Sequence, residues 1–296
     1  MKLTVAIATA GRPDIMAQAI GDLGRQSRPP DRIVVSAPAS EDVGPVPWTA
    51  PPVEILLGTR GLTRQRNAVL DALEDEDAVL FLDDDFVMAP DYLAELDALL
   101  TAAPEIVAVT GTVLADGIKT RGISHDAART LLTQAAPIGT GLHPVNNGYG
   151  CNMAFRVTPI RDHGPRFDER LPLYGWLEDV DFSRKVARHG RCVRAEALRG
   201  VHLGTKGGRT SGLRLGYSQI ANPAYLTRQS TMRPGHAIRL AARNVAANLG
   251  RALWPEPWVD RRGRLRGNLL ALGDLMRGRV DPGRILSLGD AGRGTS

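Results

Sequence analysis

Two clusters of carboxylates and one histidine are the residues of this sequence best suited to chemistry. Asp83, Asp84 and Asp85 follow directly on the apolar run 78–82. Three adjacent carboxylates repel one another unless water or a cation neutralises them. A Mg²⁺ or Mn²⁺ ion commonly takes one or two such groups and completes its octahedron with water and substrate phosphates. Asp83 and Asp85, separated by one residue, can reach one such ion; the competing reading is a solvated acidic turn, because Asp-x-Asp is short and common. The second cluster, Glu178-Asp179-Val180-Asp181, opens a helical stretch that runs to about His189 and stops at Gly190. Acids in a first turn favour the helix dipole and need no further role. The same dipole can hold one carboxylate ionised near neutral pH, as a general base for a hydroxyl acceptor must be. Arg64, Arg66 and Asn67 begin another helix, where they either steer phosphates or are simply solvated. His202, in Val-His-Leu-Gly-Thr-Lys, reads as structural if alone and as a ligand if a carboxylate-bound metal is near.

The elements that must position these residues alternate in type. Residues 3–9, 32–36, 53–57, 78–82 and 106–110 are short apolar runs of strand length. Between them, Pro13 opens a helix with Ile15, Met16, Ala19, Ile20 and Leu23 on one face. Thr63 is the expected N-cap of a second helix reaching about Leu73, and Pro90-Asp91 start a third. Such alternation implies a largely parallel sheet with helices on both faces. Ligands then bind beyond the carboxyl ends of the strands, so the loops after Thr9, Ser36 and Leu82 are expected along one edge. Over 115–148 the periodicity fades into Gly, Thr, Pro and Asn, the character of a loop.

Taken in order, the segments Ala-Thr-Ala-Gly-Arg-Pro, Thr-Arg-Gln-Arg-Asn and Leu-Asp-Asp-Asp are followed by Gly150 to Arg156 and by Phe167 to Phe182. This succession resembles glycosyltransferase family 2 over about residues 3–206. The resemblance implies the Rossmann-like GT-A fold and an inverting transfer from a nucleotide sugar. Thr9 and Arg12 lie where the family's first loop touches the nucleotide, and Arg66 lies in the segment matching its Ala-Arg-Asn motif beside the nucleotide. Asp83, Asp84 and Asp85 carry its Asp-x-Asp, with Asp83 and Asp84 toward the nucleotide sugar. Asp83 and Asp85 would hold a Mn²⁺ or Mg²⁺ ion together with His202, which resembles a metal-binding His of some members. Asp179 matches the catalytic base, while Trp176 and Glu178 would border the acceptor and donor sugar. Ser36 stands where the family commonly places an Asp that reads the nucleobase, which leaves the base open, with a UDP-sugar as the first expectation. The Gln-x-x-Arg-Trp segment of processive synthases is missing, which favours addition of a single sugar.

Composition is that of a globular protein, with 43% apolar and 23% charged residues and no apolar run of membrane-spanning length. Met1-Lys2 and the apolar residues after them read as a first strand rather than a signal peptide. Two cysteines give neither a metal-ligand spacing nor a disulfide framework, so a reducing cytoplasm is expected. The net charge of +5 is uneven: residues 228–296 hold 13 Arg, no Lys and 5 acids, a balance of +8, which leaves −3 for residues 1–227. A catalytic domain over 1–227 is therefore expected, with a nucleotide-binding half over 1–110 and an acceptor half over 111–227. A basic helical extension over 228–296 follows. In residues 235–254, Ile238, Ala241, Ala242, Val245, Leu249 and Ala252 form one stripe opposite Arg239, Arg243 and Arg251. That stripe packs on the protein itself or meets an anionic membrane surface. Nucleic acid is not expected as a partner, because no recognition motif accompanies the charge. A glycan or lipid-linked glycan acceptor fits the tail and the family. Two rivals are a sugar-phosphate nucleotidyltransferase and a catalytically inactive binding module. The first needs a richer glycine and basic loop than Ala10-Gly11-Arg12-Pro13, and the second does not require Asp83, Asp85 and Asp179 together.

Overall fold

A computed structural model describes residues 1–46, 51–135, 139–207 and 211–289. The contacts divide the chain into two units, Met1–Phe167 with Phe182–Gly208, and Asp168–Asp181 with Arg209–Ser296.

Among the described residues, the first unit is built on one sheet of nine strands: β1 Leu3–Ala8, β2 Arg32–Ala37, β3 Val53–Leu57, β4 Ala78–Asp83, β5 Phe86–Met88, β6 Ile106–Asp116, β7 Leu142–Pro144, β8 Asn152–Arg156 and β9 Arg191–His202. Their order is β3-β2-β1-β4-β8-β6-β9-β5, with β7 pairing β9. Strands β1, β2, β3, β4, β6 and β9 share one direction, and β5, β7 and β8 run against it. The sheet is thus mixed and mostly parallel, as expected. Helices α1 Pro13–Leu23, α2 Leu62–Asp71, α3 Tyr92–Ala102, α4 His125–Gln134 and α5 Val157–His163 belong to this unit. The central strands read as unbroken apolar runs because both faces are covered. Val5, Ile7, Leu80 and Leu82 enter one core cluster with Ile20, Leu93 and Leu96. Ala6, Val79 and Phe81 enter another with Val69, Phe155, Phe167 and Phe182.

Two local expectations change. Thr63 is not the cap of α2 but a buried residue inside it; the N-cap is Gly61 at φ 142°, a backbone region that a β-branched residue rarely adopts. The segment 115–148 is more ordered than its composition suggests. β6 continues to Asp116, a 3₁₀ turn follows over Gly117–Lys119, and α4 is capped by Ser124, whose hydroxyl accepts from the Ala127 amide. Ala128 and Leu132 pin α4 onto Val87, Val201 and Leu203, a tertiary anchorage that outweighs weak local periodicity. Residues 136–138 of that segment lie outside the described residues.

Helix α6, Glu178–Val186, has its first turn in the second unit and the remainder in the first. The second unit also contains α7 Gly212–Arg228, α8 Pro234–Gly250 and α9 Arg261–Met276. Helices α7 and α9 meet at glycines: a Cβ on Gly267 would fall 2.1 Å from the Leu213 carbonyl oxygen, and one on Gly216 would fall 2.0 Å from that of Arg264. Around this contact, Tyr217, Ile220, Ala221, Ala271 and Ile285 form a small core. Buried amides complete it, with Asn248 Nδ2 donating to Gln219 Oε1 and to Asn268 Oδ1, each at 2.8 Å. No helix among the described residues is long and apolar enough to cross a membrane.

Candidate active site

The acid triplet sits where β4 ends and the chain turns into β5. β1 and β4 pair with Ala8 opposite Asp83, so the loop after β1 arrives beside the triplet. Each aspartate takes a different partner. Arg66, 1% exposed, reaches Asp83 Oδ1 from Nη2 at 3.1 Å and donates to the Gly150 carbonyl at 2.8 Å. Its guanidinium lies 5.8 Å from the Phe81 ring centre and 5.6 Å from that of Phe167, a cation–π setting that holds the planar group in place. Asp84 is turned toward the first loop: Thr9 Oγ1 donates to its Oδ2 at 2.7 Å, and Arg12 Nη2 lies 2.8 Å from its Oδ1. Asp85 faces His202, with Oδ1 3.4 Å from Nε2, and its Oδ2 accepts from the Thr205 amide at 2.7 Å.

Among the described residues, Asp83, Asp85 and His202 can hold a metal ion, since one ligand atom from each lies within 4.8 Å of the others. Two carboxylates and an imidazole suit Mn²⁺ or Mg²⁺, with remaining positions left for phosphate oxygens and water. In the metal-free protein the imidazole itself carries the positive charge that the carboxylates attract. Burial opposes the charge on His202, yet the Asp116 and Asp85 carboxylates outweigh it and raise the imidazole to about 10. Burial would raise Asp85 as well, but His202 and Arg12 bring it to about 2. Asp84 is pushed up to about 7, because burial and its acidic neighbours exceed the pull of Arg12 and Thr9. Enclosure, helped by Asp85, also raises Asp83 despite the opposing Arg66.

Ser36, at the end of β2, is buried in register with Ala8, and its carbonyl accepts from the Thr9 amide at 3.0 Å and from Gln65 Nε2 at 2.8 Å. Arg64 is exposed, and the buried Asn67 exchanges two hydrogen bonds of 3.0 Å with the Phe167 backbone. The structure therefore brings Thr9, Arg12, Ser36, Arg66, the three aspartates and His202 to one edge of the sheet.

Trp176, Glu178 and Asp179 belong to the second unit. They follow a turn in which Leu173, Gly175 and Leu177 all have positive φ, at 60°, 60° and 74°. For leucine this region costs of order 1–3 kcal/mol and persists only where surrounding contacts impose it. Leu177 and Val180 pack with Leu171, Tyr225 and Leu226, and the Trp176 carbonyl accepts from Asn222 Nδ2 at 2.6 Å. Glu178 is buried, and Asp179 Oδ1 accepts from the Val180 amide at 2.8 Å, as acids do in a first helical turn.

Sequence reasoning missed Asp116 and Tyr149. Asp116 Oδ1 lies 3.0 Å from His202 Nδ1, and Tyr149 donates to Asp116 Oδ2 at 2.8 Å. Asp116 fell within the stretch read as a loop; continuing the strand past Thr110 would have placed it on β6 beside β9.

A mixed, mostly parallel sheet flanked by helices is the architecture of the GT-A glycosyltransferases. The profile of glycosyl transferase family 2 matches residues 4–164, and the chain belongs to that family. Among solved structures, residues 1–349 of S. aureus TarS in complex with UDP-GlcNAc share the fold at 15% identity and a TM-score of 0.57, covering 94% of this chain and 82% of that one. The mannosyltransferase PcManGT from Pyrobaculum calidifontis, in complex with GDP-Man and Mn²⁺, matches at 18% identity and 0.51, covering 97% and 85%. Against the longer TarS chain the identity is 17% and the TM-score 0.53; 87% of this chain is covered, and it spans 46% of that chain's length. No curated protein sequence matches.

Proposed function

We propose that this chain transfers one sugar from a nucleoside-diphosphate donor to a hydroxyl acceptor, inverting the anomeric carbon, with a divalent cation at Asp83, Asp85 and His202. The observation that carries the reading is the convergence of these three side chains at the sheet edge of a family 2 fold. Nucleotide-sugar complexes of TarS and PcManGT, the latter with Mn²⁺, support the donor class and the cation.

The chemistry follows from charge. When bound, the cation supplies positive charge to the departing diphosphate. Arg66 orients Asp83, while Thr9 and Arg12 hold Asp84 and so fix the first loop against the nucleotide. Asp179 takes the proton of the acceptor hydroxyl as that oxygen bonds to the anomeric carbon and the bond to the diphosphate breaks. Trp176 and Glu178 border the two sugars. These roles in the second unit rest on the match to the family's motif. With Ser36 in place of an acid, a UDP-sugar is the first donor to try.

The acceptor in this reading is a lipid-linked glycan destined for a surface polysaccharide, and the enzyme works on the cytoplasmic face of a membrane. Supporting this, Ile238, Leu249, Leu253 and Trp254 are 62–81% exposed on and just after α8. Between Glu196 and Glu256 the sequence holds no acid. Exposed apolar side chains near arginines such as Arg239 and Arg243 suit anionic lipid headgroups.

A thermal-shift panel of UDP-, GDP-, dTDP- and CDP-sugars, each with Mn²⁺, Mg²⁺ or EDTA, tests the donor site. One nucleotide class should raise the melting temperature with the metal and not with EDTA, since binding to the folded state alone stabilises it. A folded protein that responds to no donor would exclude the transferase reading.

A further inference from the structure

The metal reading leaves Asp116 and Tyr149 without a role, although they stand on the far side of the only imidazole in the cluster. We propose that Asp116 is a positioning residue for the cation site. It fixes the orientation and tautomer of His202 so that Nε2 faces Asp83 and Asp85, and Tyr149 holds Asp116 in that pose. The proposal rests on the metal reading above and deepens it.

The placement begins in the sheet. β6 and β9 run parallel with Asp116 directly opposite His202, so backbone pairing alone brings the carboxylate to the imidazole. The chain after each strand is clamped to the other: a Cβ on Gly117 would fall 1.9 Å from the Leu203 carbonyl oxygen, and one on Gly204 would fall 2.2 Å from the Gly117 carbonyl carbon. Neither strand end can shift without the other.

Within this frame His202 is enclosed on three sides. Asp116 Oδ1 meets Nδ1 at 3.0 Å, Asp85 Oδ1 faces Nε2 at 3.4 Å, and the Tyr149 ring stands perpendicular to the imidazole at 6.0 Å between centres. With Nδ1–H donated to Asp116, Nε2 is the nitrogen that would give up its proton and offer a lone pair to a cation. A metal-bound histidine commonly gives its other N–H to a carboxylate in this manner, which fixes the ring and raises its basicity as a ligand.

The plainer reading makes Asp116 a cap and nothing more, because its Oδ1 also accepts from the Ile118 amide at 3.0 Å at the start of the 3₁₀ turn. Capping accounts for that one bond. It does not account for the Tyr149 hydroxyl on Oδ2, nor for the register that sets Asp116 against a buried histidine. Three donors on one carboxylate leave it little freedom to turn, as a group that aligns another must be held.

A double-mutant cycle separates the two readings. Mn²⁺ affinity is measured on the full chain by the electron paramagnetic resonance signal of free Mn²⁺, with UDP and then GDP present. The proteins are wild type, Asp116→Ala, His202→Ala and the double variant. Asp116→Ala should weaken Mn²⁺ binding about 10–100-fold. In the His202→Ala background the same change should cost less than about twofold, because a residue acting through His202 has nothing left to act on. Asp116→Asn keeps an oxygen for the Ile118 amide and so guards the fold; it should still lose affinity several-fold, and Tyr149→Phe should lose less, in the same direction. An equal loss in both backgrounds, or none in the wild-type background, overturns the positioning role. Absence of Mn²⁺ binding by wild type with either nucleotide would sink the metal reading itself, and the positioning role with it.

Discussion

His202 and its two carboxylates show how single residues set the behaviour of the site before any ligand arrives. The imidazole stands near 10 against an ordinary 6.5, so its charge stabilises the folded chain fully below pH 6.5, and this contribution is lost as the pH rises through 10. Asp85 and Asp116, near 2 against an ordinary 3.8, contribute above pH 3.8 and lose that contribution as the pH falls through 2. The cluster therefore stabilises the metal-free protein most between these ordinary values. With chelator present, the melting temperature should fall by several degrees between pH 6.5 and 10, and His202→Gln should flatten that fall. A wild-type slope no steeper than that of the variant would show that the cluster is not charged in this way. At the same scale, Arg66 is unlike the exposed helix charge it resembles in sequence. Its burial beside Phe81 and Phe167 directs the guanidinium onto Asp83.

Helix α8 is the element where sequence and structure differ most usefully. The expected stripe grouped Ile238, Ala241, Ala242, Val245 and Leu249 as one face. In the structure Ala241 and Val245 pack inward with Ala237 and the buried Asn248, while Ile238 and Leu249 point to solvent, 68% and 62% exposed. The inward face is turned because Asn248 joins the amide network with Gln219 and Asn268, a polar preference that a hydrophobic pattern does not register. The outward residues, with Leu253 and Trp254 and the exposed Arg239 and Arg243, carry the lipid proposal. The chain should sediment with phosphatidylglycerol vesicles and not with neutral phosphatidylcholine. Reversing Arg239 and Arg243 to Glu should weaken binding by at least about tenfold, at about 1 kcal/mol per arginine near the surface. Equal binding to both vesicle types, or to neither, would remove the membrane from the account. Elsewhere the elements were legible for a physical reason. Strands buried on both faces leave unbroken apolar runs, and Pro13 marks the start of its helix through its fixed φ. Helix α4 was not legible, since tertiary contacts of Ala128 and Leu132 order it. The grouping of Asp83, Asp85 and His202 was legible from the acid triplet after the run 78–82 and the family's motif order. The site was not legible at Asp116, where recognition depends on strand register that no local pattern encodes.

At the scale of the whole molecule, membership of glycosyl transferase family 2 joins with an uneven distribution of charge, −3 over residues 1–227 and +8 over 228–296. In the proposed function, donor and cation binding fall to Asp83, Asp85 and His202, and removal of the acceptor proton falls to Asp179. Such a division can be taken apart by one substitution. The most direct test follows nucleoside-diphosphate release from the donor class found by thermal shift, with Mn²⁺ and a hydroxyl acceptor, in wild type and Asp179→Asn. Metal-dependent release by wild type is expected. Asp179→Asn should lose at least about 100-fold, the lower range of general-base contributions, with donor and Mn²⁺ affinity unchanged. Turnover by Asp179→Asn at the wild-type rate would contradict the assigned chemistry, and a folded wild-type protein that binds the donor but never releases nucleoside diphosphate would mark the chain as a binding module.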